Sequence, residues 1–154
     1  MVKTLLKEVK EYKKDTILSP VYVSIEAILE VFIPFLMAIL VDNGIEKGDM
    51  SSIWFYGFLM LVAAFVSLWA GAKSGKHAAI ASSGFAKNLR KAEYRKIQEF
   101  SFSNVDAYST SGLITRMMTD VTNIQNAYQM MIRICVRAPL MLIASLIMAF
   151  IINK

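Results

Sequence analysis

Cysteine and histidine each occur once in these 154 residues. A lone Cys135 cannot close an internal disulfide, so no disulfide framework is available. A lone His77, with no cysteine or acid near it in sequence, offers no metal-ligand pattern. Three prolines and seven glycines exclude a collagen-like or linker composition. Charge is also scarce, at 19% of residues, against ~25% in an ordinary globular domain. The hydrophobic share is 56%, which excludes a disordered chain.

That hydrophobicity is blocked. Thr16–Val41, Ile53–Ala72 and Ala138–Ile152 hold almost no charge. The excess of 17 Lys and Arg over 12 acids gives a net charge of +5. Because the basic residues flank apolar runs, they read as a topology signal before a nucleic-acid footprint. Two charge-poor stretches with only Glu26 and Glu30 inside them exclude a soluble nucleic-acid-binding protein. Lys3, Lys7 and Lys10 interrupt any apolar leader segment, so no signal peptide is expected.

The chain reads as an all-α membrane protein. Residues 1–15 form an amphipathic segment in which Val2, Leu5, Leu6, Val9 and Tyr12 fall at helical spacing. Such a helix lies in a membrane interface, or packs on protein. A first span is expected over about 16–41, where helical rise gives roughly 39 Å against a bilayer core of ~30 Å. Pro34 inside it removes a backbone donor and predicts a kink. Asp42–Ser52 is a polar turn joining antiparallel helices. A second long helix is expected over about 51–101; its first part is apolar, and from Lys73 it is basic and amphipathic. A third is expected over about 111–152, polar first and apolar last. Residues 1–15 carry five Lys, the 42–52 loop one, and residues 73–137 ten Lys and Arg. The N-terminus and the long helical extensions are therefore expected in the cytoplasm. The last apolar run, 15 residues, is short for a span, so the chain reads as a fragment of a longer protein.

Between the extensions, Ser101–Ser111 is rich in Ser, Asn, Asp and Thr, and Ser103 with Asp106 has capping-box spacing for a very short helix. The run from Phe102 through Ser109-Thr-Ser-Gly-Leu-Ile-Thr-Arg116 to Asp120-Val121 resembles the first intracellular loop of ABC exporters. Ile132-Arg-Ile-Cys-Val-Arg-Ala-Pro-Leu140 resembles the third helix of bacterial heterodimeric multidrug members of that family. Ile33-Pro34 and Val41-Asp42-Asn-Gly-Ile45 resemble the end of its first helix. Ser111-Gly112 replaces the usual Gly-acidic pair, as in the heterodimeric branch.

The resemblance implies an elbow helix plus about three of the six helices of an exporter transmembrane domain in a bacterial cytoplasmic membrane. It implies a coupling helix at about 103–108, with Ser103, Asn104, Val105, Asp106, Ala107 and Tyr108 contacting a nucleotide-binding domain. ATP and Mg²⁺ would be held there, and this chain has no cofactor, metal or catalytic residue of its own. Gly71-Ala-Lys-Ser-Gly75-Lys76-His77 only superficially resembles a phosphate loop: the glycines are one residue too close and His77 replaces Ser/Thr. Gly71 and Gly75 fit close helix packing instead. The resemblance further implies a second half-transporter as a heterodimeric partner, and hydrophobic or cationic substrates.

Glu26 and Glu30 share one face of the first span. Ionisable groups are costly there, so that face meets a partner helix or a watery cavity. The two are candidates for substrate contact; a bond to a neighbouring helix is the plain alternative. Phe32, Phe35, Met141 and Met148 are candidates for an adaptable apolar pocket. Arg133 and Arg137 share a face at the inner interface and are expected to meet lipid headgroups or helix carbonyls, while Arg116 and Asp120 are spaced to pair. A small stand-alone membrane adaptor is the rival reading.

Overall fold

A computed structural model describes residues 7–99 and 110–152. Every regular element among the described residues is helical. A 3-10 helix, Lys7–Tyr12, leads into α1, Lys13–Leu40; α2 is Met50–Gln98, α3 is Thr110–Thr115 and α4 is Val121–Ile152. A π-helical turn, Val41–Ile45, prolongs α1, and a second, Arg116–Asp120, joins α3 to α4. The coupling residues expected at 103–108 lie outside the described residues.

Two local features differ from the sequence expectation. The N-terminal segment is not one continuous helix, because Lys10 breaks it with φ 38° and ψ −109°. The break is fixed from both sides by α2. Asn88 Nδ2 donates to the Glu8 carbonyl at 2.9 Å, and the Tyr12 ring lies against Gly84, where a Cβ would collide with it. Val9 is then turned into protein rather than toward lipid. The 42–52 turn is also shorter than expected. Helical structure runs through Asp42, Asn43 and Gly44 to Ile45. Gly44 permits this because a Cβ there would lie 2.6 Å from Ile53 Cγ1. The reversal is made by Gly48 at φ 68°, a conformation that glycine adopts without strain. Asp49 then caps α2, accepting from Ser51 N at 3.1 Å and from Ser52 Oγ at 2.6 Å. These bonds, that of Ser52 first, hold its carboxyl below the usual aspartate range.

The packed core lies beyond the apolar run of α2. Phe85, Leu89, Ala78, Ala81 and Ala86 of α2 meet Val121, Tyr128 and Ile132 of α4, with Val9 closing one side. The Phe85 and Tyr128 rings stack at 4.6 Å, and Tyr128 Oη shares a 2.8 Å hydrogen bond with Thr16 Oγ1. Each large apolar side chain buried here contributes about 1.5–3 kcal/mol.

Within the apolar runs the arrangement is reversed. Small residues face inward: Ala63, Ser67, Ala70 and Ser74 of α2 are buried, as are Ser19, Val23 and Ala27 of α1. Small side chains let the two backbones approach, as in membrane helix pairs. Ser74 Oγ donates to the Ser19 carbonyl at 3.1 Å. Large residues face outward, with Trp54 77% and Phe65 71% exposed. A surface of that kind belongs against lipid or further protein, not water. Three helices among the described residues are long and apolar enough to cross a bilayer.

Candidate functional site: a charged layer between three helices

Glu26 and Glu30 lie one turn apart on α1, on the side that meets α4. Arg137 of α4 reaches across to both. Its Nη2 donates to the two Glu30 carboxylate oxygens at 2.7 Å each, and its Nη1 reaches Glu26 Oε1 at 3.5 Å. The pairing is unequal: Glu30 is held by short charge-assisted bonds, and Glu26 sits at the limit of hydrogen bonding. Pro34 adds a polar atom at this level, since it denies the Glu30 carbonyl its helical donor.

The third helix supplies space. A Cβ at Gly71 of α2 would stand 2.8 Å from Glu26 Oε1, so the carboxylate rests directly on bare backbone. Gly75 differs from the expectation of a paired small-residue surface, because nothing lies within 4 Å of its Cβ position. The reason is a change of neighbour along α2: α1 crosses at Gly71 and Ser74, and Gly75 faces away. A cavity of about 470 Å³ opens beside the layer, lined by Glu26, Glu30, Ser67, Gly71 and Arg133 among others. Glu26 Oε2 and Arg133 Nε are buried without a hydrogen-bond partner among the described residues.

At one edge of this layer lies an aromatic and basic group. His77 Nδ1 meets Asp15 Oδ1 at 2.7 Å. The His77 ring stacks on Tyr22 at 5.6 Å and 6°. Tyr22 meets Trp69 edge-on at 5.7 Å, and Lys73 Nζ stands 5.8 Å from the Trp69 ring centroid. His77 is thus occupied by an acid 62 positions away in sequence.

Beyond that edge, α2 and α4 continue together as a hairpin. Arg90 donates to the Met117 carbonyl at 3.4 Å and to Thr122 Oγ1 at 3.2 Å. Ser82 Oγ donates to Gln129 Oε1 at 3.4 Å. Glu93 lies in the same interface with Oε2 buried and unpartnered among the described residues. Burial, then the nearby Asp120 charge, pushes its carboxyl above the usual glutamate range, and Arg90 opposes this.

The structure therefore brings Glu26 and Glu30 to one cavity and adds Arg137, which pairs with both carboxylates rather than with the lipid headgroups or helix carbonyls expected from its position at the inner interface. The missed signal was charge balance: two acids on one face of a span call for a cation from another span. Phe32 and Phe35 meet at 6.0 Å, while Met141 and Met148 are half-buried on α4.

Three long apolar helices, a charged layer among them and a hairpin continuing beyond define a multi-pass helical membrane protein. Residues 16–154 match the ABC transporter transmembrane region, and the chain belongs to that family. It is 36% identical over 128 residues to an uncharacterized ABC transporter ATP-binding protein of Bacillus subtilis, YfiB, covering 83% of this chain and 22% of that relative. It is 27% identical over 157 residues to similarly described proteins of Mycobacterium tuberculosis and Mycobacterium bovis, covering 97% of this chain and 26% of each relative. The chain thus spans about a quarter of the length of these curated relatives.

Proposed function

We propose that the chain forms the N-terminal membrane portion of an ATP-driven exporter of hydrophobic or cationic amphipathic compounds. It lies in the bacterial cytoplasmic membrane with the N-terminus and the hairpin inside. Nucleotide-binding domains hold ATP and Mg²⁺, and residues 103–108 transmit their movement. A second half-transporter, in a heterodimer, completes the pathway.

The observation that supports substrate contact is the unequal charged layer beside the cavity. Arg137 is a resident cation on Glu26 and Glu30. A cationic substrate would take its place first on Glu26, where the contact is 3.5 Å, while Glu30 keeps Arg137 on α1. Substrate entry would thus loosen one tie between α1 and α4 without cutting the other, and ATP-driven movement of the hairpin would act on that joint.

The test is transport into inside-out membrane vesicles. A cationic amphipathic dye should accumulate with ATP and not with ATP plus vanadate. Glu26→Gln should lower uptake of cations and leave neutral amphiphiles unaffected. Uptake independent of ATP, or equal loss for both substrate classes, would contradict this reading.

A further inference from the structure

The charged layer has two rungs, and only one of them is closed. α1 and α4 run parallel: Thr16 meets Tyr128, and further along both helices Glu26 and Glu30 meet Arg137. Glu26 precedes Glu30 by one turn on α1, and Arg133 precedes Arg137 by one turn on α4. Glu30 with Arg137 is the closed rung, at 2.7 Å. Glu26 and Arg133 stand at the other and do not pair with each other. Glu26 Oε2 and Arg133 Nε are both buried without a hydrogen-bond partner among the described residues, and both residues line one cavity.

The charges of Glu26, Glu30, Arg133 and Arg137 sum to zero, so the layer asks no net charge of a ligand. What the open rung lacks is a donor for Glu26 Oε2 and an acceptor for Arg133 Nε. A buried polar atom left unmatched is costly, and more so on a charged group. Water alone does not suit the space: the cavity holds about 470 Å³, against ~30 Å³ for one water molecule. Its wall includes Ile33, Ala64 and Leu68, whose side chains offer water no hydrogen bond. Two complementary polar atoms beside an apolar wall suit a small amphiphile with a dipolar end.

We infer that the open rung is a recognition site for a protonated amine that carries a carbonyl oxygen a few atoms away. The ammonium N–H donates to Glu26 Oε2, the carbonyl oxygen accepts from Arg133 Nε, and the apolar body lies on Ile33, Ala64 and Leu68. Arg137 reaches only the Oε1 side of Glu26, so the amine takes Oε2 before Arg137 has to move. An amine without the oxygen leaves Arg133 unmatched beside a second cation. Arg133 is thereby the residue that discriminates among amines. This inference rests on the reading that cations contact Glu26, and narrows it.

The test compares two protonated amines of equal length, dimethylaminoethyl benzoate and dimethyl(phenylbutyl)amine, which differ only in the ester group. Binding is measured by equilibrium dialysis at neutral pH to the protein purified from membranes as the cell makes it, in phosphatidylcholine nanodiscs. Empty nanodiscs supply the blank for partition into lipid. Wild type should prefer the ester about tenfold, the scale of one hydrogen bond to a charged group. Arg133→Met should abolish that preference by weakening the ester alone. Arg133→Gln keeps a donor and should retain part of it. Glu26→Gln should weaken both amines. Equal binding of the two amines to wild type, or a preference undiminished in either Arg133 variant, would overturn the inference and leave the contact of cations with Glu26 standing. Binding of neither amine, or binding indifferent to Glu26→Gln, would overturn both.

Discussion

Replacing Arg137 by methionine would leave Glu26 and Glu30 facing each other without their cation. At an effective dielectric of ~20, unit charges at the 2.7 Å of the Glu30 contact attract by roughly 6 kcal/mol, and at the 3.5 Å of Glu26 by roughly 5 kcal/mol. Most of each is offset by the cost of taking the charges out of water. Removing one partner of a buried pair typically costs 3–5 kcal/mol, because the remaining charge stays buried. Side-chain exposure of 35% for Arg137, 32% for Glu30 and 15% for Glu26 lowers that figure. Arg137→Met is therefore expected to cost about 3 kcal/mol, and Glu26→Gln about 1 kcal/mol or less. Glu30→Gln falls between them, since Arg137 can still lean toward Glu26. In Arg137→Met/Glu30→Gln the double variant should be more stable than Arg137→Met alone, because one uncompensated carboxylate is gone. The assay is reversible denaturant unfolding of the purified protein in mixed micelles, followed by tryptophan fluorescence. If Arg137→Met matched wild type, or Glu26→Gln proved costlier than Glu30→Gln, the assignment of Arg137 as the common counter-ion would be wrong.

Three other outcomes follow from the packing. Gly71→Ala pushes a Cβ onto the Glu26 carboxylate and should destabilise, and the effect should vanish in a Glu26→Ala background; Gly75→Ala has open space and should stabilise by up to ~1 kcal/mol through helix propensity. Glu93 is raised in the folded state, so its protonated form favours the fold: that contribution is full below the ordinary value of 4.5 and is lost as pH rises through the raised one. Glu93→Gln should therefore be more stable than wild type at pH 7, by less than about 1 kcal/mol after solvent screening, and equal to it near pH 4 in the same unfolding assay. Cysteines placed at Lys47 and Lys91 should react with an impermeant maleimide in intact cells at 47 and only after permeabilisation at 91; the reverse pattern would invert the proposed orientation.

Much of the fold was legible because a bilayer imposes a length on apolar runs. Thr16–Val41 and Ile53–Ala72 announce themselves by the absence of charge, and the switch at Lys73 marks where the second helix leaves the apolar layer. Tertiary choices within that frame were not legible. Val9 and Tyr12 have the spacing of an interfacial helix, yet Asn88 and Gly84, some eighty residues on, turn them into the protein. Gly71 and Gly75 are equivalent in sequence, and only the path of α1 distinguishes them. The charged layer was half legible. Glu26 and Glu30 stood out as acids in a span, but Arg137 lay at an expected interface, where arginine has an ordinary explanation. Its reach to α1 depends on how α4 packs, which local sequence does not specify.

The measurement that bears most directly on the proposed function is photo-crosslinking from position 108 in native membranes. A benzophenone amino acid replaces Tyr108 in the protein as the cell makes it, and the adduct is identified by mass spectrometry. The expected adduct is a nucleotide-binding domain, with a yield that changes between nucleotide-free and ATP–vanadate conditions. Adducts with lipid alone, or a yield indifferent to nucleotide, would contradict a role for this hairpin in carrying ATP-driven movement to the charged layer.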